Sequence, residues 1–289
     1  MYSLDNDHLH IDIAPEGAEL RSLLSKADGR EYMWQRDAAY WPKSSPLLFP
    51  IVGELKNGQY LFEGQWYKLP KHGFARDRTF AVLEQKPQEI TFVLEADAES
   101  KAMYPFDFRL LLRYVLQGHT LSCSYELQNK GDDPLYFSLG GHPAFQLNLS
   151  NGKHFADYYL VFGKDHALTR YFLKKGLLDT QAEWQPLEGI RLPLRANMFD
   201  KDAWVLKDLR SSNVLLQNRQ GDYRLDFQFS GFPYFGLWAP SGAPFICLEP
   251  WCGVNDTQQH AGDLRQKEGI VELEGNGRWR RTWSVTVGL

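Results

Sequence analysis

Cysteine is scarce in this chain: Cys123, Cys247 and Cys252 are the only three among 289 residues. A small, odd number cannot build a disulfide framework, so a reducing compartment, the cytoplasm, is the expected setting. Cys247 and Cys252 have no second Cys or His pair beside them, so no zinc site is expected there. Basic blocks are missing too. The net charge is −4 and the pI about 6.1, so neither nucleic acid nor an anionic membrane is an expected partner. No run of about 18 apolar residues is available to span a membrane. The opening MYSLDNDHLHIDIAPEG has neither the basic start nor the apolar stretch of a signal peptide. No glycine motif has phosphate-loop or dinucleotide-loop spacing, and no G-x-S-x-G elbow exists. No linker, repeat or low-complexity tract divides the chain, so one domain over residues 1–289 is expected.

What is present is strand signal. Hydrophobic residues make up 43% and charged residues 24%, the balance of a soluble protein with a sizeable core. Aromatics reach 14% with nine Trp; large β-cores collect such residues, and carbohydrate sites use their faces. Segments 89–96, 108–118, 120–129 and 154–162 carry β-branched and aromatic residues in runs or alternation. Turn clusters such as GDDP (131–134) and LSNGK (149–153) separate them. In NGQYLFEGQWYKLP, Asn57-Gly58 opens a hairpin and Glu63-Gly64 turns it. The last segment, RWRRTWSVTVGL, sets Trp279, Arg281, Trp283, Val285 and Val287 on one face of a half-buried strand. Residues 15–27 have helical composition weakened by Gly17, and could equally serve a strand pair. The fold class predicted is all-β, a large antiparallel β-sandwich of roughly 15 or more strands.

Of the eight histidines, six sit among polar residues or turn signals and read as solvated. His8 and His10 share a strand face but lack a third metal ligand. His72 in LPKHG and His142 in GGHPAF differ. Gly permits close approach and Pro fixes chain direction, so these surroundings can hold an imidazole in one orientation for proton transfer. Glu249 follows the apolar run PFICL. A carboxylate ending a buried strand must be ion-paired, hydrogen-bonded or shifted in pKa. It is therefore either an ion-pair partner of an Arg or a general base tuned by apolar surroundings. Two histidines and such a carboxylate form an acid/base set that needs no metal or cofactor, and none is expected.

Four stretches in order, SPLLFPIVGELKNGQY, LPKHGFARD, GGHPAF and APFICLEPW, resemble the aldose 1-epimerase (galactose mutarotase-like) superfamily, with the closest resemblance to the branch associated with lactose operons. The likeness runs from about residue 10 to the C-terminus. It implies a galactose-mutarotase-type β-sandwich and a small-molecule sugar partner bound across one sheet; a monomer or homodimer is expected. It also implies Glu249 as the base that takes the anomeric hydroxyl proton, His142 as the acid at the ring oxygen, and His72 as a polarising group. The family's substrate-binding aspartate corresponds to Asp200 or Asp202, with Asp202 preferred. Where the family often has a cation, this chain has Glu54, and Lys56 is the nearest replacement. HGFAR is shared with the hexose-6-phosphate epimerase branch, which leaves Arg76 either as a phosphate or hydroxyl ligand or as an ion-pair partner of Asp77 or Glu249. The readings are an aldose 1-epimerase acting on a free hexose, a hexose-6-phosphate 1-epimerase, or a carbohydrate-binding protein without turnover.

Overall fold

The computed structural model describes residues 1–149 and 152–288. The expected LSNGK turn therefore falls partly outside the described residues, at Ser150 and Asn151. Two antiparallel sheets dominate. The larger has nine strands, running in space from Arg191–Pro193 through Tyr158–Phe162, Asn213–Asn218, Arg224–Gln228, Arg278–Val287, Thr120–Asn129, Phe108–Gln117 and Glu89–Glu95 to Ala81–Lys86. The second has eight strands, seven along its main path and Ala144–Gln146 beside it, and contains Phe245–Cys252, flanked by Tyr234–Trp238 and by Leu139–Gly141. The all-β reading holds.

Side-chain alternation explains how the sheets face each other. Phe108–Gln117 buries every second residue, and Trp283, Val285 and Val287 are the buried positions of the last strand. Across the sandwich, Phe227 of one sheet meets Phe145 and Phe235 of the other at ring distances of 5.7 and 6.2 Å. One continuous core draws on residues from Leu4 to Val287.

Local departures have local causes. HFADYYLVF begins as a 3-10 turn at Phe155–Asp157, because the Asp157 carboxylate accepts the His154 N–H at 2.7 Å; only Tyr158–Phe162 is strand. Residues 15–27 resolve as a strand, Leu20–Ser25, in an N-terminal three-stranded meander. The α-helix Ala98–Met103 starts at Asp97, whose carboxylate accepts the Ser100 N–H at 2.7 Å. The hairpin Gln59–Phe62/Gln65–Lys68 turns at Glu63-Gly64 as expected. Among the described residues no helix is long and apolar enough to cross a membrane.

Candidate active site

Strand Phe245–Cys252 is buried at all eight positions, although its side chains alternate. Ile246, Leu248 and Cys252 face the main core, while Phe245, Cys247 and Trp251 belong to two smaller apolar clusters on the opposite face. Glu249 belongs to that second face. Its cross-strand partner is formed by a break in the neighbouring strand. The pairs Leu139–Cys252 and Gly140–Trp251 precede the break, and Ala144–Cys247 follows it in the same register. His142 is thereby set directly opposite Glu249, and Pro143, which has no N–H, occupies the break. His142 Nε2 lies 3.1 Å from Glu249 Oε2.

The segment behind His142 is braced by a buried charge. His142 N–H donates to Pro46 O at 3.1 Å and Ala144 N–H to Ser44 O at 2.9 Å. Ser44 and Ser45 N–H in turn donate to Glu19 Oε1 at 2.6 and 2.9 Å, and Arg21 pairs with the other Glu19 oxygen at 2.7 Å.

His72 is held differently. Its φ is +67°, a left-handed conformation that costs a non-glycine residue about 1–2 kcal/mol. Reciprocal bonds to Gly53 hold it there: His72 N–H donates to Gly53 O at 2.8 Å, and Gly53 N–H donates to His72 Nδ1 at 3.1 Å. Because Nδ1 accepts, the ring proton of the neutral imidazole sits on Nε2. Close contacts fix both neighbours. A Cβ on Gly73 would lie 2.1 Å from Phe49 O, and one on Gly53 would lie 2.2 Å from the Asn255 side chain. Asn255 donates to Gly176 O at 2.7 Å, and its loop is anchored by buried Lys267, whose Nζ lies 2.9 Å from Asp256 Oδ1.

These groups line a cavity of about 420 Å³ that also takes in Lys71, Arg76, Asp202, Trp41, Trp238 and Asn255. His72, His142, Glu249, Arg76 and Asp202 are thus brought together from distant parts of the sequence. Asp202, with φ +73°, lines the cavity, while Asp200 is exposed and does not. Arg76 lies 3.6 Å from Asp77 and donates to Lys71 O at 2.9 Å. It therefore has its ion pair with Asp77 and still borders the cavity. Lys56 is placed elsewhere: it is outside the cavity lining, and its Nζ donates to His260 O at 3.0 Å. Lys71 and Arg76 are the cations that reach the cavity. Arg78 turns away to Asp97 and to Glu99, the latter at 2.6 Å. The indole of Trp41 lies 4.8 Å from the His142 ring at 31°, and Trp238 meets the same imidazole edge-on at 5.7 Å. Composition alone could not separate these two Trp from buried Trp283. The register can for Trp238, since Trp238 pairs with Cys247 and Gly236 with Glu249, which puts Trp238 on Glu249's face.

Burial sets the charge states. It pushes the Glu249 carboxyl well above the usual range; nearby Lys71 opposes this and Asp202 adds to it. Burial also pushes His142 down to about 3, helped by Arg76 and Lys71. His72 is driven well below the usual histidine value by burial first, then by His142, Lys71 and Arg76. Among the described residues no hydrogen bond of good geometry reaches His142 Nδ1 or either Glu249 oxygen; the Trp251 indole N–H approaches Glu249 and opposes the effect of burial only weakly.

The family model for aldose 1-epimerase matches residues 1–180. The chain belongs to the aldose 1-epimerase family. It is 31% identical to the chromosomal protein LacX of Lactococcus lactis subsp. lactis, over 98% of both chains. It is also 31% identical, with a TM-score of 0.95, to a galactose mutarotase related enzyme from Lactobacillus acidophilus, covering 100% of this chain and 97% of that one. A galactose mutarotase-like protein from Lactobacillus casei matches at 30% identity and a TM-score of 0.92 over the full length of both. This aldose 1-epimerase family member therefore has the sandwich of its mutarotase-like relatives, and its family is one of isomerase-type enzymes.

Proposed function

We propose that this protein interconverts the α and β anomers of a free hexose by acid/base ring opening and closure. The observation that carries the reading is the His142–Glu249 contact of 3.1 Å inside a cavity of about 420 Å³. Ring opening needs one proton removed at O1 and one delivered at O5, two oxygens on the same carbon. Acid and base must therefore be adjacent.

Burial favours the uncharged form of each partner, and for the pair this means a single titratable proton, carried by Glu249. Moving that proton from Glu249 to His142 leaves the pair's net charge unchanged and yields a carboxylate base beside an imidazolium acid. Glu249 then takes the O1 proton as His142 protonates O5, and the ring C1–O5 bond breaks to give the open aldehyde. Rotation about C1–C2 presents the other carbonyl face, and the same two groups exchange roles on closure. His72, with its proton on Nε2, donates to the ring oxygen or a hydroxyl. Asp202 and Arg76 bind hydroxyls at the rim, and the Trp41 and Trp238 faces supply apolar walls for C–H surfaces.

The test is anomer exchange on galactose and glucose, followed by polarimetry. Glu249→Gln and His142→Asn should each lower kcat by ~10²-fold or more, the scale of a lost general acid or base. Near-wild-type turnover in either variant would overturn the mechanism. A second reading, an epimerase for anionic hexoses such as 6-phosphates, is favoured by Lys71 and Arg76 at the cavity. It ranks second because Arg76 is already engaged by Asp77 and Lys71 O. That leaves one ammonium where phosphate binding calls for a bidentate guanidinium.

A further inference from the structure

We propose that His142, Cys247 and Glu249 form a site for a single thiophilic divalent cation, Zn²⁺ or Cd²⁺, whose binding blocks the proton-transfer pair. Cation binding stands on the geometry alone, whereas its inhibitory effect rests on the function proposed above. One ligand atom from each residue lies within 4.8 Å of the other two, and all three residues are buried. The strand ladder explains the cluster. Cys247 precedes Glu249 by two residues on the same strand face, and His142 stands across from Glu249. Zinc binds nitrogen and oxygen at about 2.0–2.2 Å and sulfur at about 2.3 Å. Donors around a tetrahedral ion therefore lie roughly 3.5 Å apart. The His142–Glu249 gap of 3.1 Å is already near that spacing, and the Cys247 sulfur, within 4.8 Å of both partners, has to close by at most roughly an ångström to reach it.

Charge supports the same conclusion. A dication in a buried place must be neutralised there. A Cys247 thiolate and a Glu249 carboxylate supply two negative charges, and a neutral imidazole supplies the third ligand without adding one. Loading breaks the Cys247 S–H bond and removes the Glu249 carboxyl proton, so two protons go to solvent as the metal–sulfur, metal–oxygen and metal–nitrogen bonds form. No electron moves. The fourth position faces the cavity and is open to water. Cys247 itself does not line the cavity and has no part in the proposed reaction. It can therefore be changed with the acid and the base both kept in the chain. Hard oxygen-seeking cations such as Mg²⁺ gain nothing from sulfur.

The experiment titrates chelator-treated protein with Cd²⁺, Zn²⁺ and Mg²⁺. Calorimetry gives stoichiometry, the ultraviolet thiolate-to-cadmium band reports sulfur ligation, and polarimetry reports turnover. Expected are one Cd²⁺ or Zn²⁺ per chain, a thiolate band, lost turnover, and no response to Mg²⁺. Cys247→Ser should lose the band and weaken binding at least as much as the ~10–100-fold that loss of an outer-shell partner costs. It should keep its turnover and become insensitive to the metal. A band that persists in Cys247→Ser, or is absent from the wild type, overturns the site. X-ray absorption on zinc-loaded wild type decides it even if the variant does not fold: one sulfur with nitrogen and oxygen ligands supports the site, and a sphere without sulfur overturns it. Sulfur-ligated binding with unchanged turnover would uphold the site and remove the His142–Glu249 pair from the mechanism.

Discussion

Glu249 shows at the residue scale what the site costs the fold. Its folded pKa is raised above the unfolded carboxylate value by burial. Above about pH 4.5 the folded state therefore binds more protons than the unfolded state, and stability falls as pH rises through the folded pKa. A glutamine of the same shape carries no such penalty. Glu249→Gln should melt at the same temperature as wild type near pH 4 and above it at pH 8, by ~2 °C for each kcal/mol recovered. Calorimetric melting at the two pH values checks this. An advantage that is independent of pH, or larger in acid, would mean that burial does not govern this carboxylate. The His142 shift has the opposite sign. Its folded pKa, about 3, lies below the unfolded value of 6.5, so its contribution is present above pH 6.5 and is lost as pH falls toward 3.

At the scale of elements, the site is made by interruptions of regular structure. His142 sits at the one break in a strand whose register is otherwise continuous, opposite a strand with an intact ladder. His72 sits in a turn clamped between Phe49 and Gly53. The clamp predicts the effect of Gly73→Ala, which places a Cβ 2.1 Å from Phe49 O at φ +71°. The turn must move, and His72 with it. A stability loss of at least ~1–3 kcal/mol is expected, together with a fall in kcat. Urea unfolding and polarimetry measure the two. A variant with an unchanged midpoint and turnover would show that the turn tolerates displacement and that His72 needs no fixed place.

At the scale of the whole molecule, charge argues about substrate. The chain is acidic, with a net charge of −4, and gives an anionic sugar little long-range steering. Within the cavity, Lys71 and Arg76 face Asp202, an acidic side chain that a phosphate would have to approach. Neutral hexoses should therefore be turned over with higher kcat/KM than their 6-phosphates, in side-by-side kinetics on glucose, galactose and the matching phosphates. A tenfold or greater preference for the phosphate, abolished by Arg76→Ala, would reverse the ranking of the two readings. Metal belongs to the same scale. If the acid/base set is complete in itself, exhaustive chelation should leave turnover intact or raise it. Loss of activity restored by a divalent ion would contradict that.

The sequence by itself determined the all-β class, because period-two alternation and turn residues are local properties. It also determined the three chemically distinctive positions, because His beside Gly and Pro, and Glu at the end of an apolar run, are visible without neighbours. Only the tertiary structure decided what those residues meet. Lys56 and Lys71 were both near the motifs in sequence, yet only Lys71 reaches the cavity, since Lys56 is drawn to the His260 carbonyl about 200 positions away. Nothing in the sequence distinguished Trp41 and Trp238 from the other Trp; strand pairing puts Trp238, and a loop puts Trp41, against His142. Cys247 showed no second Cys or His pair beside it in sequence, and its spatial neighbours His142 and Glu249 become visible only through the shared strand register. Register, face and burial are long-range quantities. They depend on which strands pair, and no local stretch of sequence carries that information.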